Sequence, residues 1–290
     1  MMTASSYTRK RRRKDGAFRA LCFTAVAFSV LLLFIFLIKI VHDGAPRFSL
    51  EFIGSPLSGR PARTGIWPAV VGSLWIMALT GLLSVPIGVA AAIYLEEFTL
   101  KKTAFIRFIQ LNISNLAGVP SIVYGLLGLA VFSRWFNLQQ SILAGAFTMS
   151  LLVLPMVIIV TQEALRAVPQ SYRDGSLALG STRWQAIRLQ VLPAAMPGIL
   201  TGVILAMSRA VGETAPLIVV GAASFVPGAP SKLNDLYTVL PIQIFDWSLE
   251  SRKGFNDAAA SAILFLMLLL LSMNSLAIWL RARSASRSVR

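Results

Sequence analysis

The chain has 290 residues, of which 56% are hydrophobic, with a mean hydropathy of +0.71 and a formal net charge of +15. This composition excludes an ordinary soluble domain and predicts an all-α, polytopic membrane protein. The basic residues cluster at the termini and between apolar segments, which is typical of membrane topology and not of nucleic-acid binding. A single histidine and a single cysteine argue against a metal centre and exclude an internal disulfide.

The N-terminal region divides into a basic tail, residues 1–19, and a segment, residues 20–65, that we interpret as the first spanning helix and an external loop. The apolar run 20–41 is long enough to cross a hydrocarbon core of about 30 Å. A cleaved signal peptide also begins with basic residues, but this run exceeds a typical signal core and no small-residue cleavage site follows it. Three prolines in the loop prevent a long helix there.

Residues 66–281 are predicted to form one transmembrane domain with five further helices, at about 66–95, 108–132, 141–161, 196–220 and 258–280. Small residues in the first of these offer close helix contacts, and the acidic pair Glu96-Glu97 after it is interpreted as a hydrated helix end. Asn115 and Ser121 would be costly against lipid and are expected to line a wet pathway.

The charge distribution predicts the orientation of the six helices. Eighteen Lys and Arg residues lie in predicted internal segments and eight in external ones. This asymmetry places both termini, including the second basic tail at 282–290, in the cytoplasm.

The polar segment 163–193 has an ordered pattern of helix signals. Pro169 suits a first helical position, Gly180 a left-handed helix end, and Thr182 with Gln185 a capping box. Apolar side chains outside the bilayer predict a partner protein, and here they belong to Leu177, Leu179, Trp184, Ile187 and Leu189.

Arg209 and Glu213 lie near the middle of the fifth predicted span, four residues apart and therefore on one helix face. Inserting one charged residue at the centre of a spanning helix costs about 2.5–3.5 kcal/mol, so two of them there indicate a structural or functional role. One interpretation is a structural ion pair between helices. The other is a water-filled pathway in which Arg209 contacts a carboxylate or an oxyanion such as phosphate, and Glu213 holds it while the pathway is empty. Nearby Gly and Pro residues favour a broken helix, as transporters use for their cargo.

Two further features of the sequence concern possible partners and the source of energy. The long external loop 221–255 contains a mildly amphipathic stretch, 236–245, which either docks an external protein or rests on the bilayer surface. The sequence contains no Gly-rich phosphate loop ending in Gly-Lys-Ser/Thr, so the chain does not bind ATP by that mechanism and its energy comes from a partner or a gradient.

The segment 163–193 resembles the cytoplasmic coupling motif of ABC importer permeases, in which an acidic and two small residues precede a Gly and a Leu-Pro pair follows. The matching positions are Asp174, Gly175, Ser176, Gly180, Leu192 and Pro193. Segments 115–125, 192–202 and 209–216 resemble, more specifically, the PstA-type permeases of phosphate importers. The resemblance extends over about 66–280 and implies the type I ABC importer transmembrane domain with six transmembrane helices.

The resemblance also implies roles and partners. Arg209, Glu213 and Thr214 would belong to the phosphate pathway, with Asn115 and Ser121 as further lining candidates, and the coupling segment would dock in a groove of an ATPase. The implied partners are a second homologous permease, two copies of an ABC ATPase that bind ATP and Mg, and an extracytoplasmic phosphate-binding protein. The chain itself would bind no cofactor, catalyse no reaction and import inorganic phosphate across the bacterial cytoplasmic membrane.

Three other functions are weighed against this one. The chain could serve another oxyanion or small solute, such as phosphonate, sulfate or molybdate. An intramembrane enzyme could use Ser208 and Glu213, but no suitable His or Cys base accompanies them. A purely structural membrane anchor would tolerate loss of Arg209.

Overall fold

The computed structural model describes the backbone of residues 3–99, 103–223, 225–252 and 254–287, and the side chains of 14–99, 103–223, 225–252 and 254–279. Within these ranges the chain is helical and contains no β-strand. The α-helices are α1 Thr3–Gly44, α2 Leu50–Gly54, α3 Trp67–Ile93, α4 Ala104–Ala117, α5 Ser121–Gly128, α6 Ile142–Arg166, α7 Gln170–Ala178, α8 Arg183–Ala186, α9 Leu192–Val211, α10 Ala215–Val220, α11 Leu240–Leu249 and α12 Phe255–Arg287. Wider π-helical turns extend α3 (Tyr94–Phe98) and α5 (Leu129–Trp135) and join α8 to α9 (Ile187–Val191).

Five helical segments of the described chain are long and apolar enough to cross a membrane singly: Lys14–Arg47, Trp67–Phe98, Ile142–Arg166, Arg183–Val211 and Phe255–Trp279. A sixth passes only as a pair, Ala104–Ala117 with Ser121–Trp135, whose two halves are bent by 99°. The prediction of one helix over about 108–132 is therefore wrong, because the backbone breaks just before Pro120 and the proline has no N–H with which to continue a helix.

The bent pair nevertheless makes one crossing, because the helices on either side of it run in the same direction. At one end Glu96, just after α3, pairs with Arg166 at the end of α6 at 2.8 Å. At the other end both helices meet the same loop: Ser73 of α3 accepts a hydrogen bond from the Leu240 N–H, and the Ile142 N–H donates to the carbonyl of Asp235. The chain between α3 and α6 must return across the bundle, which confirms the predicted six transmembrane helices.

The two terminal helices meet at one end of the bundle. Ser261 of α12 donates a hydrogen bond to the Gly44 carbonyl of α1 at 2.7 Å, and a Cβ at Gly44 would lie only 2.7 Å from the Ala260 carbonyl carbon. Both helices therefore run from this contact toward the same opposite end, where Thr3 and Arg287 lie. That this end is the cytoplasmic one stays a prediction from the charge distribution.

The core of the bundle is formed by α3, α6 and α9, whose buried apolar side chains make one cluster that includes Ile76, Val153 and Val203. Gly88 lets α3 lie directly on α6, because a Cβ there would come 2.7 Å from Cγ1 of Val157. Gly81 is less tightly placed, since its Cβ would meet only Cε of Met207 at 3.5 Å.

The external loop 221–255 folds onto the bundle. Its helix α11 buries Leu240, Ile242 and Trp247 and contacts α3 and α12, and Tyr237 just before it is fully buried. One apolar side of this segment thus packs against the protein, whereas Leu236, Phe245 and Leu249 are each half or more exposed.

The close contact at Gly88 predicts a stability difference between two matched substitutions in α3. Gly88→Ala should lower the free energy of unfolding by about 1–3 kcal/mol, because the added methyl overpacks Val157. Gly81→Ala should leave it unchanged or raise it by up to about 1 kcal/mol, because the new methyl fits and the unfolded chain loses freedom. Thermal unfolding of both variants in detergent checks this, and equal midpoints would contradict the tight α3–α6 contact.

Candidate functional site

A cavity of about 360 Å³ lies where the break between α4 and α5 faces α6 and the end of α9. The backbone turn from Leu116 to Ser121 forms one side, and apolar residues of α6, Met156 among them, form another. Arg209 and Glu213 close it from the α9 side. The cavity therefore combines a broken helix, an apolar wall and the two charged residues of this stretch.

Arg209 lies in the last turn of α9, is exposed on this chain and has neither a hydrogen bond nor an ion pair with any described residue. The ion pairs among the described side chains all lie elsewhere, at Asp43, Glu96, Glu97 and Glu250. Arg209 therefore does not form the structural ion pair of the first interpretation within the described chain. Its guanidinium has all its donors available for a ligand or for a second subunit.

Glu213 faces the same cavity but does not share a helix with Arg209. Helix α9 ends at Val211, and the N–H groups of Gly212 and Glu213 bond back to the carbonyls of Arg209 and Ala210 at 3.2 and 3.1 Å. The predicted arrangement, one turn apart on one helix face, is wrong because this turn ends the helix. The two residues are neighbours through the cavity and not through helical spacing.

Ser121 is the first residue of α5 and lines the cavity, so the N-terminal end of this half-helix points its partial positive charge there. Tyr124 bridges the break, because its hydroxyl donates to the Leu116 carbonyl at 2.9 Å. Gly125 then fits against α10, where a Cβ would lie 2.8 Å from the Cα of Pro216. The bend is thus held by specific contacts on both sides.

The structure brings together three of the five predicted pathway residues, Arg209, Glu213 and Ser121. Asn115 is exposed near the end of α4, and Thr214 precedes α10 with its hydroxyl 3.4 Å from the Gly212 carbonyl, so neither lines the cavity. Tyr124 was not predicted as a site residue, because its role depends on a bend that apolar periodicity does not reveal.

The coupling segment forms the predicted pair of short helices. Gly180 has φ +81° and ends the first, and the capping box of the second is complete, with Thr182 accepting from the Gln185 N–H and Gln185 accepting from the Thr182 N–H. Pro169 precedes α7 and is not its first helical residue. Asp174, Gly175 and Ser176 lie on α7, none of whose residues is buried.

The second short helix does not end before Leu192 and Pro193. It continues through the π-helical turn into α9, so these two residues lie inside one helical segment, Arg183–Val211. Pro193 lies just after the π-helical turn, where the regular α-helical hydrogen-bond pattern is already interrupted. The coupling segment is thereby joined to Arg209 by continuous helix.

The predicted apolar face is present on the coupling segment except at Ile187, which is buried. Leu179 is 90% exposed, and large parts of Leu177, Trp184 and Leu189 are exposed as well. The protein partner predicted from this apolar face stays a prediction.

A buried ion pair attaches α7 to the end of α3. The carboxylate of Glu97 accepts hydrogen bonds from Arg173 in a forked arrangement, and only 5% of the Glu97 side chain and 16% of the Arg173 side chain are exposed. Arg173 also donates to the carbonyls of Leu165 and Val168, both at 2.9 Å. Its hydrogen bonds to Glu97 raise the pKa of Arg173 above its ordinary value. The interpretation of Glu96-Glu97 as a hydrated helix end is wrong for Glu97, whose partner lies 76 residues further along the chain.

Residues 84–287 match the family model described as binding-protein-dependent transport system inner membrane component. The chain belongs to this family. It is a multi-pass permease subunit of an ABC transporter and not an enzyme, and in this family the ATPase is a separate subunit. A second model, described as a domain of unknown function, matches residues 5–63 of the permease.

Individual relatives cover most of the permease. It is 30% identical to the probable ABC transporter permease protein YqgI of Bacillus subtilis (strain 168), over 83% of this chain and 84% of that one. It is 29% identical to the phosphate transport system permease protein PstA of Pasteurella multocida (strain Pm70), over 91% and 93%. The inward-facing MetNI methionine ABC transporter superposes with a TM-score of 0.59 at 18% identity, covering 76% of this chain and 97% of that one, and shows the type I importer fold.

Substitutions of Arg173 and Arg209 are expected to differ in their effect on the free energy of unfolding. Arg173→Gln should lower the free energy of unfolding by roughly 3–5 kcal/mol, because it leaves the buried Glu97 carboxylate without its partner. Arg209→Gln should change it by no more than about 0.5 kcal/mol, because no contact within the chain is lost. Thermal unfolding of the purified chain in detergent measures both, and a similar loss for the two would show that Arg209 is held by the chain after all.

Proposed function

We propose that this permease forms half of a transmembrane pathway that carries inorganic phosphate inward across the bacterial cytoplasmic membrane, driven by ATP hydrolysis in partner subunits. The observation that carries the proposal is the exposed guanidinium of Arg209, which lines a cavity beside a broken helix and has no partner in the described chain. The PstA proteins among its relatives support phosphate as the solute.

The chemistry of the cavity favours an oxyanion. A guanidinium presents a planar set of donors that matches the oxygens of phosphate, and the Ser121 hydroxyl and the N-terminal end of α5 add further donors. The apolar wall from α6 lowers the local dielectric and strengthens these contacts. With about 360 Å³ the cavity also leaves room for water, which suits passing contact better than tight retention.

Glu213 shortens the time for which the anion stays bound to Arg209. A carboxylate in the same cavity repels an anion, and it receives the Arg209 guanidinium when the end of α9 moves and the anion has left. In the conformation described here the two side chains are not paired.

The partners follow from the surfaces that the chain leaves exposed. A second, homologous permease covers Arg209, Asn115 and Thr214 and completes the pathway. Two ATPase copies bind ATP and Mg, and one docks on the apolar face of the coupling segment, so this chain needs no cofactor of its own. An extracytoplasmic phosphate-binding protein delivers the anion at the end of the bundle opposite the basic, cytoplasmic termini, and lipid surrounds the remaining helices.

Removing the Arg209 side chain tests the pathway role. Arg209→Ala should abolish uptake of labelled phosphate by cells, because the cavity loses its only described cation, while the ATPase still co-purifies with the permease. Arg134→Ala is the matched control, since Arg134 is exposed beyond α5, away from the cavity, and its loss should leave uptake intact.

Normal uptake in Arg209→Ala would contradict the pathway role and favour a structural anchor. Unlabelled sulfate, molybdate or phosphonate should not compete with labelled phosphate at equal concentration. Competition by one of them would identify that anion as the solute instead.

Charges on the coupling segment test the docking surface. Leu179→Glu and Ser176→Arg should reduce recovery of the ATPase with the purified permease by roughly tenfold, because a charge in an apolar interface must be desolvated. Leu50→Glu is the matched control, since Leu50 is 88% exposed, close to the 90% of Leu179, but lies on the external loop. Undiminished recovery in both coupling-segment variants would exclude docking there.

A further inference from the structure

Three consecutive residues in the π-helical turn that extends α3 each contact a different helix of the coupling segment, namely the end of α6, α7 and α8. Glu96 pairs with Arg166 at the end of α6 at 2.8 Å, and Glu97 pairs with Arg173 on α7. The ring of Phe98 lies 6.2 Å, centroid to centroid, from that of Trp184 on α8. These residues belong to the π-helical turn Tyr94–Phe98, so one turn of helix meets all three elements.

The contact at Arg173 is the firmest of the three. Helix α7 has no buried residue, so apolar burial does little to hold it to the bundle. The Arg173 guanidinium instead reaches the Glu97 carboxylate and, through its other N–H groups, the carbonyls of Leu165 and Val168 at the end of α6. A planar fork can make these bonds together, whereas a lysine ammonium cannot. The pair Glu96–Arg166 is weaker, because half of the Arg166 side chain is exposed.

Helix α3 leads from this contact to the surroundings of Arg209. Its residues Ser73, Ile76 and Met77 enclose a small gap together with Ala210 and Val211 of α9. These two residues directly follow Arg209 in the chain. Helix α3 therefore connects the Glu97 end to residues beside the cavity by a second path of contacts, separate from the continuous helix that joins α8 to α9.

We propose that Glu97 and Arg173 are a positioning pair that locks α7 to α3 and α6, so that motion imposed on α7 by an ATPase moves α3 with it. The inference rests on the proposed docking of an ATPase on the coupling segment. When the pair is absent, α7 moves without α3, only the route through α9 remains, and ATP hydrolysis continues with little transport.

The test compares transport with hydrolysis in the complex purified from its own membrane and reconstituted in liposomes. Two variants remove the lock without leaving a buried unpaired charge: Arg173→Lys, which keeps the charge but loses the fork, and the double variant Glu97→Leu with Arg173→Met. In both, the inorganic phosphate moved per ATP hydrolysed should fall roughly tenfold, a typical size for coupling between sites. Recovery of the ATPase with the permease should stay within about twofold of the unmodified complex.

Arg166→Met is the matched control, because it removes the neighbouring, more exposed ion pair from the same turn. It should lower the transport ratio by less than about twofold. An unchanged ratio in the double variant would overturn the proposal, and so would loss of ATPase recovery in both variants, because the pair would then serve docking and not transmission.

A second readout does not depend on phosphate. With Cys22→Ser as background, spin labels are attached at Ser171→Cys on α7 and Ile87→Cys on α3, both exposed positions. In the complex with native Glu97 and Arg173 the label separation should be the same without nucleotide and with ATP trapped by vanadate. In the double variant it should shift or broaden on trapping. A change in label separation in the complex with native Glu97 and Arg173 would contradict the proposed positioning pair. If the complex moves no phosphate but the separation changes only in the double variant, the positioning pair stands and only phosphate as the solute is contradicted.

Discussion

The parallel arrangement of α3 and α6 is the constraint on which the rest of the structure depends. The two helices lie close enough at Gly88 and Val157 to exclude a methyl group, and they begin and end at the same ends of the bundle. The 40 or so residues between them must therefore carry the chain back across the membrane. They do so as two helices bent by 99°, and the bend leaves backbone and a hydroxyl facing inward where a straight helix would have filled the space.

The bend and the end of α9 together explain how a charge is tolerated at this depth. Arg209 is not compensated inside the chain, since no described residue pairs with it. It stands beside the cavity and is exposed on this chain. By contrast, Arg173 is compensated fully, by a carboxylate and two carbonyls. Arg173 is held by the chain, whereas Arg209 has no partner among the described residues and is available to groups from outside the chain.

Much of this could be predicted from the sequence, because its signals are local. The lengths of the apolar segments predicted the spanning helices. Gly180, Thr182 and Gln185 predicted the ends of the coupling helices, because helix caps and left-handed helix ends depend on neighbouring residues only. The bend before Pro120, the separation of Glu213 from α9 and the burial of Glu97 escaped prediction. The first two are local breaks, at Pro120 and Gly212, inside stretches whose apolar composition continues across them. The partner of Glu97 is instead remote in sequence, so an acidic pair at a helix end has the same local pattern whether it is hydrated or buried.

The continuous helix from Arg183 to Val211 has a mechanical consequence. Its 29 residues span about 43 Å at 1.5 Å per residue, with the coupling segment at one end and Arg209 at the other. A rod of this length that tilts by about 10° around its centre carries its two ends about 4 Å in opposite directions. Near that centre Gly198 lies directly on α6, since a Cβ there would be 3.0 Å from Cβ of Ala164, and this contact is the natural pivot. A displacement of this size at the coupling-segment end therefore moves the end that carries Arg209 by a similar distance in the opposite direction.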